Sequence, residues 1–344
     1  MPTRHARPRL AARSASFGLA ALLGLVSALA GCGPSGAPAP ASAPALAPGE
    51  RLAVVCTTGM IADAARVIAG EHADVVALMG PGTDPHLYTP TRTDLAAIMD
   101  ADVVFYNGLH LEGRMIEALR RAESAGKRVV AVTELLSADE LLAPPEFNGL
   151  PDPHVWMDPS TWVVAVDGVA RAMSEADPSS ADEYATNAAS YRAQVEALDI
   201  YAAETLATVP KNRRALVTAH DAFNYFGRRY GFVVIGIQGI STESEAGVRD
   251  IERLVSMLVD QKIPAVFVET TVSERNIRAL IDGAKARGHD VVIGGLLYSD
   301  AMGQPGTYEG TYPGMIDHNV TTIVRALGGQ APARGMSGQL MEGP

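Results

Sequence analysis

Cysteine is nearly absent. The 344 residues contain two, Cys32 and Cys56, too few for a disulfide framework if either is used otherwise. Cys56 lies in the apolar run Leu52-Ala-Val-Val-Cys56 and reads as a small core residue. A membrane-spanning run is missing as well: the apolar stretch Phe17–Ala30 falls short of the about 20 residues a spanning helix needs. Basic residues are in deficit, with 28 Lys and Arg against 39 Asp and Glu and a formal charge of -11. An acidic surface argues against a nucleic-acid partner and is compatible with attracting cations. There is no His-Glu-x-x-His helix, which removes the commonest metalloprotease signature.

The first 31 residues read as a targeting segment. Arg4, Arg7, Arg9 and Arg13 form a positive region without an acid, and Phe17–Ala30 has the length of a signal-peptide hydrophobic region. It ends in Leu29-Ala30-Gly31-Cys32, which resembles a bacterial lipobox, with cleavage before Cys32 and a lipid on its thiol. Residues 32–50, almost wholly Pro, Ala, Gly and Ser up to Gly49, cannot bury a core and read as a flexible tether. Residues 329–344 have a similar character and are expected to be a flexible tail. Removing residues 1–31 takes away four arginines and no acid, so the formal charge falls to about -15.

Between these ends, short apolar runs alternate with helical patterns, the mark of βα units and parallel sheets. Strands are predicted at 52–57, 75–79, 103–106 and 128–132, and again at 215–218, 233–237, 265–268 and 291–294. Four strands on either side of one helical segment suggest two similar α/β lobes, at 51–178 and 210–328, each with a four-stranded parallel sheet. The intervening segment, 179–209, has no Gly or Pro from Ser179 to Thr208. Tyr184, Ala188, Tyr191, Val195, Leu198 and Ala202 recur at three- and four-residue steps, which predicts one long linking helix with a single buried face. Such a helix is a stiffer connection than a hinge of extended strands.

Four residues carry the chemistry. His86 follows Asp84-Pro85, His154 follows Asp152-Pro153, His220 closes a strand, and Asp300 lies just beyond another. Three imidazoles and a carboxylate form a sufficient ligand set for a first-row divalent cation. All four fall in loops beyond predicted strand ends, where open α/β sheets bind ligands, two in each half. This places the site in the cleft between the lobes. His110, in Asn107-Gly-Leu-His-Leu-Glu112, is the one rival ligand. Asp158 and Glu269 are candidate partners for ligand imidazole N–H groups. The polar loop 235–247 holds Glu243 and Glu245, which read as ordinary charge before a helix rather than a catalytic pair.

Longer strings add to this. Thr57-Thr-Gly-Met-Ile-Ala-Asp63, Gly82-Thr-Asp-Pro-His-Leu-Tyr88, Tyr106-Asn-Gly-Leu-His-Leu-Glu112, Asp152-Pro-His-Val-Trp-Met-Asp158, His220-Asp-Ala-Phe-Asn-Tyr-Phe226 and Asp300-Ala-Met-Gly303 with Glu309-Gly-Thr-Tyr312 occur in this order. With them the chain resembles the TroA-like family, the metal-binding solute-binding lipoproteins of ABC transporters, from Arg51 to Leu327. The resemblance implies two α/β lobes joined by a long helix. It also implies that His86, His154, His220 and Asp300 hold one ion, Mn2+ or Zn2+, with Fe2+ a poorer fit. By the same resemblance, the partners are a membrane permease and its cytoplasmic ATPase. The lipid anchor places the protein, as a monomer, on the extracytoplasmic face of the cell membrane. Zinc-specialised members often carry a histidine-rich loop before the second ligand; residues 139–152 contain no histidine, which tilts the expectation toward manganese.

A secreted zinc metalloenzyme and a surface adhesin with a structural metal are the alternatives. The enzyme needs an open coordination position, which a fourth protein ligand closes, so no enzymatic activity is expected. The adhesin does not explain the lipobox and the ligand set together.

Overall fold

The computed structural model describes residues 50–341 apart from Asn148. Cys32 and the expected signal and tether at 1–49 lie outside the described residues. The first lobe is built on four parallel strands, β1 (Leu52–Cys56), β2 (Ala73–Ala77), β3 (Val103–Tyr106) and β4 (Arg128–Ala131), in the order β2-β1-β3-β4. Helices α1 (Gly59–Ala69), α2 (Arg92–Asp100) and α3 (Ile116–Ser124) connect them. Leu52, Val54 and Cys56 on one side of β1, and Val55 on the other, are all buried, as expected of a central strand covered on both faces. Burial pushes the Cys56 thiol well above its ordinary value, so it is an inert core residue.

Two helices lead out of this lobe. Helix α4 (Pro159–Ala176) starts with the Asp158 side chain accepting from the backbone of Ser160 and Thr161, and with Pro159 in its first turn, a strong start signal. Helix α5 (Ala181–Leu206) is the predicted linking helix. Its 26 residues span roughly 39 Å at about 1.5 Å each. The six periodic residues from Tyr184 to Ala202 are all buried. The helix packs against α1 and α4 of the first lobe and against α9 (Tyr312–Ala326) of the second.

Specific polar bonds fix this packing. Tyr191 Oη donates to Asp63 Oδ2 of α1 at 2.8 Å, and the same oxygen accepts the Tyr312 N–H at 3.0 Å. One buried carboxylate thus joins the first lobe, the linking helix and the second lobe. Asp199 of α5 is held by Arg229 and by Tyr230 Oη of helix α6 (Asn224–Tyr230).

The second lobe contains β5 (Ala215–His220), β6 (Val233–Gln238), α7 (Val248–Gln261), β7 (Ala265–Glu269), α8 (Arg275–Ala286) and β8 (Val292–Leu297). Where one four-stranded sheet was expected, the strands pair as two parallel ribbons, β5-β6 and β7-β8. β5 and β7 run side by side, but at their carboxyl ends the His220 N–H donates to the Glu269 side chain at 2.8 Å. A register irregularity at Val266/Phe267 further distorts β7-β8. The glycine pair in β8 accommodates it: Gly295 sits at φ +149, and a Cβ there would lie 2.4 Å from Thr322.

Residues 329–341, expected as a flexible tail, pack against α9. The Met336 N–H donates to Asp317 Oδ2 at 2.8 Å, Arg325 donates to the Ala333 carbonyl at 2.6 Å, and Leu340 is buried. The buried Asp317 carboxylate accepts the backbone N–H of Met336 on this Pro/Gly-rich segment with both of its oxygens. Among the described residues no helix is long and apolar enough to cross a membrane.

The three-way bond at Asp63 generates a prediction. Tyr191→Phe removes one of two donors from a buried carboxylate and should lower unfolding stability by about 1–3 kcal/mol. Urea denaturation of the two proteins measures this; coincident midpoints would show that Asp63 does not hold the helix.

Candidate metal centre

Each histidine is placed by the aspartate two residues before it or by the end of a strand. The His86 N–H, in the loop after β2, donates to Asp84 Oδ1 at 2.9 Å. The His154 N–H donates to Asp152 Oδ1 at 2.9 Å, and His154 Nδ1 lies 2.8 Å from the same oxygen. Proline between the two residues fixes φ and favours this local turn, so Asp-Pro-His is a small device for aiming an imidazole. His220 is the last residue of β5, and Asp300 follows β8 by three positions.

The structure brings these four together. Their donor atoms all lie within 4.8 Å of one another, and all four residues are buried. His154 Nε2 is 3.4 Å from Asp300 Oδ1, His220 Nε2 is 3.2 Å from Oδ2, and His86 Nε2 is 3.9 Å from Oδ2 and 3.3 Å from His154 Nε2. Two of the outer ring nitrogens face carboxylates: His154 Nδ1 faces Asp152, and His220 Nδ1 is 2.6 Å from Glu269 Oε2. A carboxylate there keeps a proton on Nδ1 and leaves Nε2 to face the centre. Both oxygens of Asp300 and Nε2 of His220 are buried without a hydrogen-bond partner. Such groups are costly to bury unsatisfied, and a cation among them satisfies all at once. The donor set and its unsatisfied atoms fit a divalent metal.

The electrostatics follow from these contacts. Burial lowers His86 to about 3, so it is neutral. Burial also disfavours charge on His154, but Asp152 and Asp300 outweigh it and raise that imidazole to about 9. For His220, burial is likewise overcome, by Glu269 and Asp300, which lift it well above its ordinary value. Asp300 is held well below the usual carboxylate range: burial opposes its charge, but His220 and His154 prevail.

Of the two expected imidazole partners, Glu269 serves His220. Asp158 does not take that role: it caps α4 and lies 3.6 Å from Arg228. Asp152 stands in its place. His110 is exposed and apart from the cluster, in a left-handed turn at φ +68. In its motif the buried residue is Glu112, which accepts from Thr57 Oγ1 at 2.7 Å and the Asn107 N–H at 2.6 Å; Asn107 Nδ2 in turn donates to the Pro153 carbonyl at 3.0 Å. That motif therefore braces the His154 loop from beneath. Glu243 and Glu245 lie on the surface beside Arg114 and Arg275. Trp156 carries no chemistry in the sequence that marks it as a site residue. Its Nε1 donates to the Ser299 carbonyl at 2.8 Å, and its ring meets His154 edge-on with centroids 5.3 Å apart. It thereby ties a first-lobe histidine to the loop of Asp300.

A cavity of about 320 Å³ beside the cluster is lined by Gly59, Met79, Asp300 and Met302. A buried three-His, one-Asp cluster between two lobes is what a metal-binding solute receptor requires. Residues 54–326 match the family described as ZnuA, zinc-uptake complex component A, periplasmic. The chain belongs to this family. It is 47% identical to the manganese-binding lipoprotein MntA of Bacillus subtilis (strain 168) over 309 residues, 90% of this chain and 98% of that protein. It is 45% identical to the zinc-binding protein TroA of Treponema pallidum (strain Nichols) over 274 residues, 80% of this chain and 88% of that one. The solved structure of periplasmic zinc-binding TroA from Treponema pallidum superposes with a TM-score of 0.79 over 81% of this chain and 99% of its own, at 45% identity. Members of the ZnuA family are solute-binding proteins, not enzymes.

Two predictions come from this geometry. The raised His154 and His220 hold protons at neutral pH in the metal-free protein, and a metal needs the same nitrogens bare. Affinity should therefore rise with pH up to about 9 and fall below it, where an unperturbed histidine would place the change near about 6.5. Calorimetry in buffers of different ionisation enthalpy at pH 7.5 should show more than one proton released per ion; no proton release would remove the raised imidazoles. Secondly, Glu269→Gln should weaken metal binding by about 10–100-fold. Asp158→Ala should leave metal affinity within about twofold while costing about 1 kcal/mol of stability through the lost α4 cap. Equal affinity losses in the two variants would reject the distinction.

Proposed function

We propose that this chain is the extracytoplasmic metal-binding component of an ABC import system, with His86, His154, His220 and Asp300 as the ligands of one Mn2+ or Zn2+. The observation that carries this reading is the meeting of four buried donor atoms within 4.8 Å. Residues from both lobes supply them, and carboxylates stand behind two of the imidazoles. The names of the relatives point the same way. A manganese-binding lipoprotein and a zinc-binding periplasmic protein both align over most of this chain.

In this reading residues 1–31 are a lipoprotein signal, Cys32 carries the lipid, and residues 32–50 tether the domain to the membrane. Lobes at 51–178 and 210–328 flank the linking helix at 179–209. The second lobe corresponds to a four-stranded layer, β6-β5-β7-β8, through the adjacency of β5 and β7. The loaded protein delivers its ion to a membrane permease driven by an ATPase on the other side. Four protein ligands leave no place for a substrate on the ion, which suits capture and delivery rather than catalysis.

The cargo is narrowed by ligand chemistry. Three nitrogens and one carboxylate suit either ion, and the Irving–Williams order places zinc above manganese in equilibrium affinity at any such site. The histidine-free loop at 139–152 favours manganese as the transported ion.

Elemental analysis of protein purified without chelator tests the site. One equivalent of metal is expected, lost in His154→Ala, with zinc displacing manganese when both are supplied equally. Protein without metal, or metal retained by the variant, would reject this ligand set.

A further inference from the structure

The loop 239–247, between β6 and α7, is conspicuous in the sequence and has no part in the metal cluster itself. It lies against the loop that carries His86, across the boundary between lobes. Buried Thr242 donates its Oγ1 hydrogen to Asp84 Oδ2 at 2.6 Å. The other oxygen of Asp84 accepts the His86 N–H at 2.9 Å. One carboxylate thus joins the backbone of a first-lobe ligand to a hydroxyl of the second lobe. Arg114 grips the same loop from outside. Its Nη1 donates to the Leu87 carbonyl at 3.1 Å, and its Nε lies 4.0 Å from Glu243 Oε1. That exposed ion pair is long and water-screened, so it adds little. The bond from Thr242, a charge-assisted one to a carboxylate, is the stronger element.

A second lobe-crossing bond near the ligands, from Trp156 to the Ser299 carbonyl, lies beside His154 and Asp300. It does not restrain His86. We propose that Thr242 is a positioning residue, an interlobe latch that holds the His86 loop against the second lobe and slows release of the metal. The latch opens onto a polar cavity of about 250 Å³ lined by Asp84, Gln238, Thr242 and Ser273. Water entering this cavity can take over the bond to Asp84 when the lobes part, which makes the latch reversible.

The functional part of this inference rests on the ligand assignment above, and the test separates the two. Thr242→Val keeps the side-chain shape and removes the hydroxyl; Thr242→Ser keeps the hydroxyl. Chelator-driven release of Mn2+ and of Zn2+ from the full-length protein is followed by stopped flow. Thr242→Val should release either ion about tenfold faster, with the association rate within about twofold, and Thr242→Ser should behave as the parent. Hydrogen exchange at residues 82–88 should also quicken in Thr242→Val without any metal, while residues 156–158 stay unchanged. Unchanged release and exchange in Thr242→Val would overturn the latch. So would Thr242→Ser releasing metal as fast as Thr242→Val, since packing rather than the hydroxyl would then be at work. A parent protein that holds no metal would remove the ligand assignment and the effect on release, and the exchange comparison alone would then decide whether the latch exists.

Discussion

Asp300 is a carboxylate buried in the cleft between two lobes, with three imidazoles facing its two oxygens. Burying an ionised carboxylate is expensive unless positive charge accompanies it. A divalent cation supplies that charge. Without the cation, protons on His154 and His220 supply it. The site therefore alternates between one metal and about two protons, and it stays near charge balance in both states. This constraint explains why Asp152 and Glu269 stand behind those two histidines: they make the protonated state tolerable and orient the same rings for the metal.

The surrounding fold serves to keep two lobes in register around that balance. Asp63 receives donors from α5 and α9 together, and Tyr312 Oη continues the connection to the Trp156 carbonyl at 2.8 Å. Trp156 then reaches the loop of Asp300. A path of buried hydrogen bonds thus runs from the back of the linking helix to the ligands. A linking helix packed along its length against both lobes resists wide swinging of one lobe on the other.

Much of this was legible in the sequence because it rests on periodicity or on strand ends. The three- and four-residue spacing from Tyr184 to Ala202 located the linking helix, since one buried face forces that period. All eight strand segments were visible as short Val-rich runs, and the four site residues could be grouped because each follows such a run or an Asp-Pro turn. The remainder depended on contacts between distant residues. Asp152 and Asp158 flank His154 in one motif, and nothing in their spacing says which will face the imidazole and which will cap a helix. The N-cap pattern Asp158-Pro159 was the available signal for the latter. The bond from the His220 N–H to the Glu269 side chain joins residues 49 positions apart and leaves no mark in the local sequence. Packing of the chain end against Asp317 was equally hidden, because low-complexity composition records only what a segment cannot bury by itself.

The geometry of Asp300 bears on the choice of ion. Its two oxygens face different histidines, Oδ1 toward His154 and Oδ2 toward His220 and His86. Either one or both can therefore bind. Single-oxygen binding gives four donor atoms, the arrangement zinc favours. Two-oxygen binding gives five, which suits an ion that seeks more oxygen and a higher coordination number. The same four residues thus offer a donor set compatible with either ion. Equilibrium affinity will rank zinc first in either arrangement.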